Sequence, residues 1–230
     1  MRKLHQRSVV LSQALQRCFV FSCAFAVLAG ELAQAQSIQL RPLSTKTTGV
    51  FNQSASEISA YDEDSRRLFV VNARAGRLDV LDISNPAAPV ELAPIELSSY
   101  GPVVNSVAVD DGLVAVAVEN AVKTAPGKVV FFDVAGTFLG EVTVGALPDM
   151  LTFTPNGKWL LVANEGEPSD DYSVDPEGSI SIIEVSRRGK CITQAGVRTA
   201  DFTAFNDKQL DASIRIFGPH ASVAQDLEPE

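Results

Sequence analysis

Histidine, cysteine, methionine and tryptophan are scarce in this 230-residue sequence, which has 2 His, 3 Cys, 2 Met and 1 Trp. Only His220 and Cys191 lie beyond residue 35, which excludes a His/Cys zinc cluster and a disulfide framework. Basic residues are also in deficit: 28 acidic against 19 basic gives a formal net charge of −9. Phosphate contact needs clustered Lys and Arg, so this balance argues against a nucleic-acid partner. The sequence has no Gly-x-Ser-x-Gly elbow and no P-loop. Two-metal phosphate hydrolysis built on His and Asp clusters lacks its histidines. Past the N-terminus, no apolar stretch approaches the roughly 20 residues of a spanning helix.

What is abundant points to folded, turn-rich structure. Hydrophobic residues make up 46% of the chain, and 15 Gly and 12 Pro favour β structure with many turns. The length allows one or two domains.

The N-terminus reads as an address. Arg2, Lys3, Arg7 and Arg17 precede an apolar run from Cys18 to Gly30, and Ala33-Gln34-Ala35 supplies a small-x-small cleavage site. That order describes a secretory signal peptide over 1–35, an uncleaved anchor being the alternative. The protein is therefore expected to be exported: periplasmic, secreted or cell-surface. Cleavage near Ala35 would leave 15 basic and 27 acidic residues, and Cys191 as the lone cysteine.

The mature part, 36–230, repeats. Three short alternating strands are expected at Glu57–Asp62, Asn105–Asp110 and Asp149–Thr154. Each leads through a polar turn into a more apolar strand, at Leu68–Ala73, Leu113–Asn120 and Trp159–Asn164. A third strand always opens on glycine: Gly76–Ile83, Gly127–Val134 and Gly178–Val185. Weaker fourth strands fit Val90–Leu97 and Leu139–Val144. The second strands start at 68, 113 and 159, and Asp110-Asp111-Gly112 and Pro155-Asn156-Gly157 supply hairpin turn chemistry. Four strands per unit at this period is the pattern of a β-propeller blade, and a β-sandwich gives no reason for three copies of one phrase. The expected fold is all-β: about three blades over 49–100, 101–145 and 146–195, with 196–230 an inter-blade segment. Propellers close with about 4–8 blades, so the propeller is incomplete and the chain reads as an N-terminal fragment.

Three phrases go beyond a generic propeller: Val144–Pro155, Val162–Gly178 and Ile216–Glu230. Together they resemble the choice-of-anchor I domain family of exported bacterial proteins, over about residues 38–230. That family is related to mesenchyme-specific cell-surface glycoproteins, and its members are often labelled alkaline phosphatase. The resemblance implies a propeller of the YVTN or amine-dehydrogenase-like type, akin to WD40 repeats. It also implies further blades and a variable surface-sorting signal beyond residue 230, and it supplies no agreed catalytic residues.

The third unit carries the most distinctive loop. Glu165, Glu167, Asp170, Asp171, Asp175 and Glu177 place six carboxylates within 13 residues, where the first unit has only Arg74-Ala75 and the second Ala121–Pro126. Hard oxygen donors at close spacing suit Ca²⁺, although the spacing is not an EF-hand, and a solvated acidic loop is the plain alternative. Asp226-Leu227-Glu228-Pro229-Glu230 is a second acidic phrase, at the same propeller mouth or in a polar turn. His220 is a candidate base or ligand, or a turn residue without a chemical role. Trp159 reads as core. Lys123, Lys128, Arg187, Arg188 and Lys190 form no anion site. No catalytic residue is assigned. The functional expectation is a surface scaffold binding an unidentified ligand or partner, with calcium as a candidate cofactor. The competing expectation is a calcium-dependent phosphoric-ester hydrolase in the full-length protein.

Overall fold

A computed structural model describes residues 39–185, 192–216 and 222–229. The signal-peptide reading, Cys191, Arg187, Arg188, Lys190 and His220 lie outside the described residues. The chain divides into two compact units, Met1–Pro42 and Leu43–Glu230. Residues 39–42 are without regular structure, and every described strand belongs to the second unit.

Strands follow the alternation read from sequence. The first sheet contains β1 (Ser59–Asp62), β2 (Arg67–Asn72) and β3 (Arg77–Asp82). Two short pieces fill its fourth position, β4 (Val90–Glu91) and β5 (Ile95–Glu96), both pairing with β3. Pro94 stands between them, and a residue without an N–H cannot continue the ladder. The second sheet is β6 (Val104–Asp110), β7 (Leu113–Val118), β8 (Pro126–Asp133) and β9 (Phe138–Ala146). The third is β10 (Pro148–Phe153), β11 (Trp159–Asn164), β12 (Ser179–Glu184) and β13 (Val197–Asp201). β13 lies past the limit at 195 drawn from the repeat. Its sequence Val-Arg-Thr-Ala-Asp is almost wholly exposed and lacks apolar alternation.

Each sheet is an antiparallel meander with its strands in chain order. The second strands begin at Arg67, Leu113 and Trp159, an even spacing of 46 residues that shifts the first unit by one from the sequence reading. Successive sheets stack face to face. Phe69, Val71, Leu78 and Val80 of the first sheet pack with Val114, Val116, Val118, Val130 and Phe132 of the second. Ala115, Ala117, Val129 and Phe131, on the opposite face of the second sheet, pack with Leu151, Leu160, Val162 and Ile183 of the third. Because side chains alternate across a strand, β7 can serve both interfaces, and all six of its residues are buried. Small twisted meanders stacked in sequence order, first strands adjoining, are blades of a β-propeller.

Among the described residues no helix is long and apolar enough to cross a membrane. One short helix, α1 (Val223–Asp226), is closed by a capping box between Ser222 and Gln225.

Candidate functional site

Antiparallel order brings the connections between second and third strands to the same end as those that lead into the next sheet. Glu119 N–H donates to Val103 O at 3.0 Å, and Glu165 N–H to Leu147 O at 2.9 Å. At this end the third sheet projects the loop 165–177.

The loop stands on buried Asn164, which is 0% exposed. Its amide oxygen accepts from Gly145 N–H at 3.1 Å, and its nitrogen donates to Ser181 Oγ at 2.9 Å and Ser179 Oγ at 3.2 Å. A buried amide needs such partners, and here they tie both legs of the loop to the end of β9. Gly166 follows at φ 75°, where a Cβ would meet the Glu177 carbonyl group at 2.8 Å. The legs cross here closely enough to require glycine.

Above this crossing the six carboxylates part company. Glu167 forms an ion pair with Lys123 of the second sheet's corresponding connection, so Lys123 is a bracing cation between neighbouring loops. Asp171 accepts from Ser173 Oγ at 2.7 Å, Ser169 Oγ at 2.8 Å and Ser173 N–H at 3.1 Å. Those hydrogen bonds, led by the Ser173 hydroxyl, hold its carboxyl down to about 2. Ser169 N–H and Val174 O close the tip at 2.8 Å. Tyr172 stands at the apex with φ 56° and 73% exposure, beside exposed Asp170 and half-exposed Val174.

Asp175 meets a segment distant in sequence. Burial, and then the charge of Asp226 on α1, push its carboxyl above the ordinary value. Gln225 Nε2 donates to Asp175 O at 2.9 Å, and Gly178 N–H to Ala224 O at 3.0 Å. Asp226, which opens the second acidic phrase, therefore lies near the loop, and Glu230 is outside the described residues. Glu177 is exposed, and Glu165 is half-buried at the base. Among the described residues, no three His, Cys, Asp or Glu side chains stand together as a ready metal-binding group.

Trp159 departs from its expected place in the core. It is half-buried on the face of the third sheet turned away from the second, with Arg198 Cζ 5.7 Å from its ring centre. The recurrence of Asn at the end of the second strand, Asn72 and Asn164, was the available signal for the loop's foundation. Nothing local in the sequence signals Lys123 or Gln225, whose partners lie 44 and 50 positions away.

Several solved structures are similar to this chain. A putative 6-phosphogluconolactonase from Bacteroides fragilis has 17% identity and TM-score 0.48, covering 65% of this chain and 43% of that one. A putative 6-phosphogluconolactonase from Bacteroides uniformis has 14% identity and TM-score 0.49, with coverage of 68% and 47%. Hydrazine synthase from Kuenenia stuttgartiensis has 20% identity and TM-score 0.45, with coverage of 56% and 34%. The chain thus spans less than half the length of these structures. No curated protein matches it. The family model of the choice-of-anchor I domain matches residues 57–230, three quarters of the sequence, and the chain belongs to that family.

Proposed function

We propose that the chain is part of an exported β-propeller that serves as a binding scaffold at the cell surface. Its recognition element is the loop 165–177, with Ca²⁺ as a ligand of that loop. The carrying observation is the loop's construction: it is long in the third sheet alone and rests on a buried, fully bonded Asn164. Binding residues concentrate on such loops when a rigid scaffold positions them. The apex offers Tyr172, an amphipathic ring suited to partner contact, between carboxylates. Calcium is supported by the approach of Asp175 and Asp226: burial, and then the charge of Asp226, raise Asp175, and a bound cation relieves the second of these. Catalysis is not assigned to the loop. Asp171 is occupied by two serines and Glu167 by Lys123.

The test is a thermal melt. A ligand of the native state stabilises it by mass action, so millimolar Ca²⁺ should raise the melting temperature and chelator reverse the rise. Asp175→Asn should lose that response. An unresponsive melt would remove calcium from the reading. Hydrolysis of p-nitrophenyl phosphate that disappears in Asp175→Ala would replace the scaffold with a phosphoric-ester hydrolase.

A further inference from the structure

The second sheet ends on β9, which among the described residues pairs with β8 alone. A strand edge offers a row of N–H and C=O groups to any extended chain that can lie beside it. Thr143 shows which of the β9 groups point outward. Its N–H donates to Gln194 Oε1 at 2.7 Å, and its carbonyl accepts from Gln194 Nε2 at 3.0 Å. Thr143 stands opposite Lys128, so that pair exchanges no ladder bonds. Alternation then turns the backbone groups of Glu141, opposite Val130, outward as well. The Gln194 amide donates and accepts across a single residue, as the backbone of a neighbouring strand would.

The link between β12 and β13 delivers this glutamine. Ile192 packs against the apolar cluster shared by the second and third sheets, and its carbonyl oxygen lies 3.8 Å from where a Cβ on Gly140 would stand. Ile192 therefore lies beside Gly140 and Gln194 beside Thr143, so the link follows the β9 edge. Gln194 is exposed and reaches a partner 51 positions away, which adds little to packing but occupies the outward groups of Thr143. The N–H of Gly145, two residues on, is likewise taken by a side-chain amide, that of Asn164. The rest of the edge invites association. Phe138 and Leu139 are 48% and 41% exposed, and Lys128 neutralises Glu141 at 2.9 Å, so no unpaired charge on that residue repels an approaching strand.

We infer that the link Ile192–Gln194 guards the β9 edge, holding closed a strand-pairing surface that a second copy of this chain would otherwise occupy. Another copy is a sufficient partner because it carries a strand edge of its own. β13 lies at the edge of the third sheet and is exposed at four of its five residues. Pairing of this kind draws its affinity from main-chain hydrogen bonds. The guard acts independently of the loop 165–177.

Sedimentation velocity of the full chain over a concentration series tests the inference, with the unchanged chain as the control for every other open edge. Gln194→Ala frees both backbone groups of Thr143, and its weight-average mass should climb toward double that of the unchanged chain. Adding Thr143→Pro should return the mass to the unchanged value, because proline removes the outward N–H without breaking a ladder bond. Amide exchange separates edge pairing from association through unfolding. Pairing slows exchange of the Glu141 N–H as Gln194→Ala is concentrated, whereas unfolding speeds exchange throughout β9. The inference is overturned if Gln194→Ala keeps the unchanged chain's mass at every concentration. It is equally overturned if the double variant associates as strongly as the single one, or if Glu141 exchanges faster on concentration.

Discussion

Phe131→Ala is expected to cost about 3–5 kcal/mol in a denaturant-unfolding experiment, the range for a buried aromatic truncated where neighbours cannot collapse. Phe131 is 0% exposed and lies in the cluster shared by the second and third sheets, with Leu160, Val162 and Ile183. The site has sheet on both sides, so relaxation from one side opens a gap on the other. Ile182 holds the equivalent position in the third sheet but is only half-buried. Ile182→Ala should therefore cost about 1 kcal/mol, in proportion to the smaller area removed from water. Comparable losses in the two variants would mean that the second sheet is not enclosed between its neighbours.

Asn164→Leu is expected to cost about 2–4 kcal/mol, although leucine is similar in size and more apolar. The loss arises from what the amide leaves behind. Gly145 N–H and Ser181 Oγ are hydrogen-bonded to it, and Ser181 is 1% exposed, so water cannot readily replace the lost partner. Because the same side chain closes the base of the loop, limited proteolysis within 165–177 should accelerate in the variant. A variant with unchanged stability and an equally resistant loop would show that the loop stands without its foundation.

The repeat made most of this architecture legible. Apolar second strands flanked by Asx/Gly turns and followed by a glycine-led strand announce blades because each phrase must bury both faces against neighbours. The fourth strand of the first sheet lies within the expected Val90–Leu97, but its break at Pro94 escaped, as did β13, which sits on a sheet edge where exposure removes the need for alternation. The acidic loop was visible as composition, but its internal division was not. Whether a carboxylate is occupied by serine hydroxyls, as Asp171 is, or pushed toward another acid, as Asp175 is, depends on contacts that spacing does not encode. The Asp175–Gln225 link spans 50 positions, and it exists only because α1 docks beside Gly178.

The fold is a stack of three meanders in chain order, with the second enclosed between the other two. Native-state amide exchange tests it most directly, because protection follows burial and the free energy of opening. The stacked arrangement predicts the slowest exchange in β7 and β8, intermediate rates in β2, β3, β11 and β12, and the fastest among the strands in exposed β13. Equal protection across the three sheets, or greatest protection in the third, would contradict the arrangement.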